Sequence, residues 1–145
     1  MRTRGGNGVG RFSVELEVVN DADMVLAQAG HLPADQIRRA TIQGLVESGA
    51  TRLVLPEALV KRLGLRLGDP INVRYANGRR ARRKVVERVY IQLLGRHGTF
   101  TAICKPKRET ALSGAVVLED LALLVDCVTQ RVVPRDPSGA TYEIE

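Results

Sequence analysis

Apolar and polar residues alternate strictly near the start of the chain. From Phe12 to Val18 every second residue is apolar and the residues between are polar, and the pattern ends at Val19. A period of two predicts a half-buried strand over these residues. Asn20-Asp21-Ala22-Asp23 interrupts the pattern, and residues 24–38 show no clear periodicity. The next strands are predicted over Arg39–Val46 and Arg52–Leu55.

A short helix and a hairpin are predicted next. Pro56 stands where a helix would begin, a position at which its missing N–H costs nothing. Gly64 is placed to end that helix. Asn77-Gly78 is a strong hairpin signal, and it joins the alternating segment 71–75 to a long strand over 79–93.

The last third of the chain continues with short elements. A turn at His97-Gly98, a strand over Thr99–Cys104 and a helix from about Gly114 to Leu121 are predicted, followed by a strand pair, 123–126 and 130–133. Many short strands with one or two short helices predict an all-β fold, closed into a barrel.

The predicted elements define the domain boundaries. They occupy residues 12–135, which form the folded domain. Residues 1–11 are predicted to be a flexible Arg- and Gly-rich arm, and residues 136–145 a C-terminal tail.

The returning strand of the hairpin is basic. Five of the six residues from Arg79 to Lys84 are Arg or Lys. A two-residue turn would pair Tyr75 with Arg80 and Val73 with Arg82, so neither face of the hairpin would be apolar near its tip. Since burying unpaired guanidinium groups is costly, the hairpin should project into solvent or over a cleft. A solvated edge, a nucleic-acid contact and a mobile flap over a site all remain open.

Composition narrows the classes of function. The chain has 145 residues, of which 44% are hydrophobic and 26% charged, and its formal net charge is +6. This balance predicts one folded domain. Two cysteines and two histidines, none close together, predict neither a disulfide framework nor a metal site. No signal peptide and no membrane span are predicted, so we expect a soluble, cytoplasmic protein without a membrane partner.

One turn carries candidate chemistry. Glu47-Ser48-Gly49-Ala50-Thr51 combines a carboxylate, two hydroxyls and a glycine at a predicted strand end. Taken alone, such a turn is usually structural, because Ser and Thr hydroxyls bond to nearby backbone. Together with the preceding Leu45-Val46, however, it resembles the Val-Asp-Ser/Thr-Gly-Ala-Thr signature of the retropepsin-like (retroviral-type) aspartic proteases.

Other motifs follow in the order expected for that family. Tyr75-Ala76-Asn77-Gly78-Arg79 resembles its flap hairpin, and Ala111-Leu112-Ser113-Gly114 resembles its second conserved element. The segments 117–126 and 130–134 are similar to the C-terminal part of the small bacterial branch. The resemblance spans about residues 12 to 135.

The resemblance implies a closed β-barrel that is active as a homodimer on a peptide or protein substrate, without a metal or other cofactor. Each subunit would supply one carboxylate to a dyad that shares one proton and activates a water. By motif position, the catalytic residues are Glu47, Ser48 and Gly49; the substrate-binding residues are Ala50, Thr51, Tyr75, Ala76, Asn77, Gly78 and Arg79; and the structural residues near the site are Leu112, Ser113 and Gly114.

Two residues depart from the family pattern. Glu47 stands where the family has Asp, and its extra methylene moves the carboxylate by more than ~1 Å, a displacement that can cost ~100-fold in rate. The site could be inactive, altered but working, or the result of an Asp-to-Glu substitution. Ser113 stands where the family usually has an apolar residue, and a buried hydroxyl needs a partner.

Two rival functions remain. The main one is a catalytically inactive dimeric module that holds a peptide in the cleft without cutting it. The third candidate is a nucleic-acid contact through the basic hairpin, which we rank last because a basic run without stacking aromatic residues is a weak signal. Steeply salt-dependent binding would distinguish it.

Overall fold

The computed structural model describes residues 11–47 and 50–145 of the chain. The predicted N-terminal arm lies outside these residues except for Arg11, which begins the first strand. The described residues form nine strands and three short α-helices, with a 3-10 turn at Ala34–Gln36. The elements are β1 Arg11–Asn20, α1 Asp21–Gln28, β2 Arg39–Glu47, β3 Leu53–Pro56, α2 Glu57–Arg62, β4 Arg66–Arg74, β5 Arg80–Leu93, β6 Arg96–Lys105, β7 Ala111–Ser113, α3 Ala115–Asp120, β8 Leu123–Asp126 and β9 Arg131–Pro134.

The main sheet closes on itself. Its strands follow the order β1-β2-β7-β3-β6-β5-β4, and β1 also pairs with β5. This second pairing completes a ring of six strands, from which β4 extends as the outer strand of a hairpin with β5. The strands β8 and β9 form a separate antiparallel pair. The all-β, closed-barrel prediction is confirmed.

Aliphatic side chains fill the barrel. Leu16 and Val18 of β1 are fully buried, as the alternating pattern predicted, and they pack in one cluster with Val46, Leu55 and Ile91. Dense packing of such side chains is the main stabilising contribution to the fold. The same packing fixes the end of β2, where the candidate carboxylate follows the buried Val46.

The sequence interpretation missed helix α1. One or two short helices were expected, whereas the described residues contain three. The Asn20 side chain accepts a hydrogen bond from the Asp23 backbone N–H at 3.0 Å and so caps the helix. The helix has no apolar stripe, because Val25 and Leu26 are about half exposed. Its cap, with Asp21 and Asp23 in the first turn, was the signal available in the sequence.

The turn between β5 and β6 also differs from its prediction. It lies at Leu94-Gly95, where both residues have positive φ (53° and 77°), the geometry of a two-residue hairpin turn. The predicted turn at His97-Gly98 is therefore wrong. His97 belongs to β6, and its ring stacks on Tyr90 with 5.4 Å between the ring centroids.

A buried polar cluster ties the start of the barrel together. The Asp23 carboxylate accepts hydrogen bonds from the Arg38 backbone N–H, Nε and Nη2 at 2.8–3.0 Å. The Asn20 amide donates to the Leu63 carbonyl at 2.8 Å. These bonds connect β1, α1, the end of α2 and the segment before β2, so the strand that carries the candidate carboxylate has a fixed start.

The predicted tail, residues 136–145, forms neither helix nor strand. It nevertheless touches the domain, since the Tyr142 hydroxyl donates a hydrogen bond to the Asp120 carbonyl at 2.7 Å. None of the described helices is long and apolar enough to cross a membrane.

Candidate active site

Glu47 is the last residue of β2. The strand is held between β1 and β7, and its parallel register with β7 sets Val46 opposite Ser113. Val46 is fully buried and Glu47 is half-buried. The Glu47 carbonyl accepts a hydrogen bond from the Ala50 N–H at 3.0 Å, which closes the turn. The predicted site residues Ser48 and Gly49 lie outside the described residues.

The segment after β7 holds the far side of the turn. The Ala115 N–H donates to the Ala50 carbonyl at 2.9 Å, and the Val116 N–H donates to the Thr51 carbonyl at 3.1 Å. Both N–H groups belong to the first turn of α3, where donors have no partner inside the helix. Main-chain hydrogen bonds thus join the Glu47 turn to the start of α3, directly after the Ala111–Gly114 motif.

Gly114 is required at this junction. A Cβ on Gly114 would lie 2.5 Å from the Thr51 carbonyl carbon and 2.7 Å from the Arg52 nitrogen, both main-chain atoms. Only glycine allows the two segments to approach so closely. The structure therefore brings Leu112, Ser113 and Gly114 beside the candidate turn, where the resemblance implied a structural role for them.

The Ser113 side chain is fully buried, and its hydroxyl has no hydrogen-bond partner among the described residues. A buried hydroxyl was expected to need a partner, and none of the described residues supplies one. An unpaired buried hydroxyl lowers stability, because the group loses its hydrogen bonds to water on folding.

A cleft of about 870 Å³ lies between the turn and the β4–β5 hairpin. This volume lies within the range of ligand-binding clefts, ~300–1,000 Å³. Most of the predicted site residues with described positions line it, although Gly78, at the tip of the hairpin, does not. The predicted residues in the lining are Glu47, Ala50, Thr51, Tyr75, Ala76, Asn77, Arg79 and Leu112.

Other lining residues were missed by the sequence interpretation. Ile103 and Lys105 stand two positions apart on β6 and both line the cleft, as the period of a strand requires. Arg52 and Arg108 come from connecting segments. Their approach depends on long-range strand pairing, such as the parallel pairing of β3 with β6, so no local motif indicates it.

The hairpin turn is one residue longer than predicted. The Gly78 N–H donates to the Tyr75 carbonyl at 2.9 Å, and the Tyr75 N–H donates to the Arg79 carbonyl at 2.8 Å. Gly78 has a φ of +86°, so the loop contains three residues and ends on a left-handed glycine.

This longer turn changes the register of the two strands. Val73 pairs with Ala81, and Ile71 pairs with Arg83. The predicted pairs of Tyr75 with Arg80 and of Val73 with Arg82 are therefore wrong, because a one-residue shift exchanges the faces of a strand. The half-buried face carries Ile71, Val73, Tyr75, Ala81 and Arg83, whereas the exposed face carries Arg74, Arg80, Arg82 and Lys84. The inner face of the hairpin thus combines apolar side chains with the cation of Arg83.

Tyr75 links the hairpin to β6. Its hydroxyl accepts a hydrogen bond from Arg83 Nε at 3.0 Å. Arg83 Cζ lies 5.9 Å from the centre of the Tyr75 ring, and Lys105 Nζ lies 5.3 Å from it. Both distances are within the range of cation–π attraction, so one aromatic ring orients two cations of the cleft.

The described residues give little support for a metal site or a cysteine nucleophile. No group of three or more His, Cys, Asp or Glu side chains in residues 11–47 and 50–145 could hold a metal ion. Burial raises the pKa of the Cys104 thiol, which disfavours the thiolate that a nucleophile needs. Cys127 is exposed in the turn between β8 and β9, away from the residues that line the cleft.

One family model matches the part of the chain that carries this geometry. Residues 36–103 match the family model described as aspartyl protease. The comparison with curated proteins found no match. Among solved structures, EIAV protease complexed with the inhibitor HBY-793 matches with 23% sequence identity and a TM-score of 0.48, covering 56% of this chain and 77% of that chain.

The matched segment contains β2, the Glu47 turn, the whole of β4 and β5 and most of β6. It therefore includes both the candidate carboxylate and the hairpin above it. Over residues 36–103, slightly less than half of the chain, this match agrees with the aspartic protease family that the motifs resemble.

Proposed function

We propose that this chain is an aspartic-type endopeptidase that acts as a homodimer, with Glu47 of each subunit in the catalytic dyad. The observation that carries the proposal is the position of Glu47. It is the sole carboxylate among the described residues that line the cleft, and it stands at the end of a strand fixed by main-chain bonds on both sides.

Two such carboxylates brought together would share one proton, because like charges at short distance cannot both ionise. The ionised carboxylate accepts a proton from a water, and the oxygen of that water attacks the peptide carbonyl carbon. The protonated carboxyl group donates a hydrogen bond to the carbonyl oxygen and stabilises the negative charge that develops there.

The dimer follows from this count of carboxylates. One chain places one Glu47 in the cleft, and the mechanism needs two carboxylates. A two-fold axis would supply the second from an identical surface, as in most homodimers.

The hairpin is assigned the part of a flap. Its inner face lines the cleft through Val73 and Tyr75, while the tip at Asn77 and Gly78 is exposed. A peptide between the Glu47 turn and this hairpin would be shielded from water on one side. Closure of this kind strengthens electrostatic interactions at the site.

The proposal is tested by peptide cleavage. The chain, Glu47→Asp and Glu47→Ala are incubated with an unbiased peptide mixture between pH 3 and pH 8, and the products are identified by mass spectrometry. We expect cleavage by a carboxylate form and none by Glu47→Ala, because water has no general base without the carboxylate. Glu15→Ala, a change at an exposed glutamate of β1, is the matched control and should cleave like the unmodified chain.

Each outcome has a defined meaning. Cleavage by the unmodified chain that is lost in Glu47→Ala establishes a working glutamate dyad. Cleavage by Glu47→Asp alone shows an intact scaffold silenced by one methylene. Absence of cleavage by both carboxylate forms contradicts the peptidase proposal, and the peptide-binding module then becomes the leading function.

A further inference from the structure

The cleft is strongly cationic. Six of the described residues that line it carry a positive charge, against the one carboxylate of Glu47. These cations are Arg52, Arg74, Arg79, Arg83, Lys105 and Arg108. They come from the hairpin, from β6 and from the connecting segments, so the charge surrounds the cleft and is not confined to one edge. Clefts lined by one sign of charge concentrate the electric field and attract ligands of the opposite sign.

The protein does not neutralise most of this charge. Arg52, Arg74, Arg79, Arg83 and Lys105 form no ion pair with any carboxylate of the part of the chain that the structure describes. Elsewhere in the same structure, arginines do find carboxylates, as in the pairs of Arg38 with Asp23 and Arg66 with Glu87. A cluster of unneutralised cations costs stability through mutual repulsion, so a ligand of opposite charge gains affinity by relieving it.

Two of these cations are held in place. Arg83 and Lys105 are half-buried and lie within cation–π distance of the Tyr75 ring. Arg83 also donates to the Tyr75 hydroxyl and, through Nη1, to the Arg82 carbonyl at 3.1 Å. These bonds leave other donors of the guanidinium group for a ligand. An oriented cation loses less conformational entropy on binding than a mobile one.

We propose that the cleft selects peptides with acidic side chains and that Arg83 and Lys105 are its main specificity-determining residues. The proposal rests on the peptidase function proposed above, because it places the peptide in the same cleft as Glu47. Asp or Glu side chains of the peptide would bind beside the Tyr75 ring, while the peptide backbone lies between the hairpin and the Glu47 turn. The apolar side chains of Ile71 and Val73 would contact the neighbouring peptide residues.

A peptide fits this cleft better than a nucleic acid. Single-stranded nucleic acids bind through aromatic rings on which bases stack. Tyr75 is the one aromatic residue among the described residues of the lining, and two cations already contact its ring. The cations also border a carboxylate, which would repel a continuous phosphate backbone.

The hairpin provides a matched control. Arg80 and Lys84 are exposed on the outer face of the same hairpin and do not line the cleft. Replacing both by Gln removes the same charge as replacing Arg83 and Lys105, and the net charge of the two double variants is equal. Any difference between the variants therefore reports the position of the charge and not its amount.

Binding is measured separately from cleavage, in a Glu47→Ala background. The probes are a labelled peptide that contains several Glu residues and a second peptide with Gln at the same positions, each followed by fluorescence anisotropy at physiological salt. We expect the Glu peptide to bind at least about tenfold more tightly than the Gln peptide. The Arg83→Gln, Lys105→Gln double variant should lose this preference, and the Arg80→Gln, Lys84→Gln double variant should keep it.

Several results would overturn the proposal. Equal loss of the preference in both double variants would mean a general attraction of acidic peptides to a basic protein. Equal or tighter binding of the Gln peptide would mean that the cleft does not recognise acidic side chains. Tighter binding of a single-stranded oligonucleotide, lost in the inner double variant, would assign the cleft to nucleic acid. Circular dichroism confirms folding, and single variants replace a double variant that fails to fold.

The outcome is separable from that of the peptidase proposal. Cleavage that favours neutral peptides would contradict the selectivity and leave the peptidase function intact. Selective binding of the Glu peptide by a chain that cleaves nothing would support the selectivity and contradict the peptidase function.

Discussion

Glu47 is the one residue of its turn that departs from the signature the turn resembles, and the structure fixes the backbone from which its side chain extends. The backbone at Glu47 is set by strand pairing on both sides and by the bond between its carbonyl and Ala50. Because the backbone position is fixed, the extra methylene of Glu moves the carboxylate further from the strand. If the unmodified chain cleaves weakly, Glu47→Asp should raise kcat/KM by up to ~100-fold. The reason is that a displacement of the catalytic carboxylate by ~1 Å can lower the rate by about that factor.

Ser113 gives a prediction about stability at the same scale. Its hydroxyl is fully buried and unpaired among the described residues. Ser113→Ala should therefore raise the free energy of unfolding by about 1 kcal/mol, because the change removes an unsatisfied polar group. Urea denaturation measures the difference.

A second serine serves as the control for that measurement. The Ser13 hydroxyl is exposed and donates to Gln43 at 2.9 Å. Ser13→Ala should change the free energy of unfolding by less than about 0.5 kcal/mol, as surface substitutions usually do. Destabilisation by Ser113→Ala beyond that value would show that the buried hydroxyl has a partner.

At the scale of elements, local patterns predicted most of the strands and two of the three described helices. β1 was predicted to within one residue at each end, because its sequence alternates and the residues of one face are buried or half-buried. Helix α1 was missed because its apolar residues Val25 and Leu26 are exposed and it is anchored by polar groups. Its capping residue Asn20 is informative only if one looks for a helix directly after a strand.

The hairpin shows a second limit at this scale. Asn77-Gly78 correctly indicated a turn, and the positive φ of Gly78 is the reason a glycine is there. The dipeptide did not reveal whether the loop has two or three residues. That choice decides which side chains face the cleft, and in the observed register Arg83 lies opposite Ile71 on the half-buried face.

The Asp23–Arg38 pair gives a pH-dependent prediction. Hydrogen bonds from the Arg38 side chain lower the pKa of the Asp23 carboxyl below its usual value. Its contribution to stability is therefore fully present above the unfolded-state pKa of about 3.9 and is lost as the pH falls through the lower folded-state pKa. At pH 7, Asp23→Asn should lower the free energy of unfolding by about 2 kcal/mol, because charge-assisted bonds are replaced by weaker ones.

Urea denaturation at pH 7 and at pH 3 measures this contribution. The difference between the unmodified chain and Asp23→Asn should be smaller at pH 3 than at pH 7. Asp69→Asn, at an exposed aspartate of β4, should have little effect at either pH. A penalty for Asp23→Asn that is independent of pH would show that the pair acts through packing and not through charge.

At the scale of the whole molecule, the sequence indicated the motifs of the site but not its full lining. The Glu47 turn, the hairpin and the Gly114 segment were recognisable because each is contiguous. Lys105 and Arg108 reach the same cleft through strand pairings between distant segments. Since local sequence does not determine such pairings, the excess of positive charge around Glu47 became visible only in the folded chain.

Subunit mixing tests directly whether the catalytic site is shared between two chains of a dimer. The active carboxylate form is mixed with Glu47→Ala at constant total chain concentration and allowed to exchange subunits. If each dimer needs two carboxylates, an equal mixture should retain about a quarter of the activity of the active form alone, because only that share of random dimers carries both. The activity is measured over a series of mixing ratios.

The shape of that series distinguishes the alternatives. A monomeric enzyme, or a dimer in which each carboxylate works alone, would lose activity in proportion to the inactive fraction and retain about half at equal mixing. A mixture of the active form with Glu15→Ala should lose none. A quadratic loss with Glu47→Ala would establish that Glu47 of one subunit acts together with Glu47 of the other, and that a single chain holds half of the catalytic site.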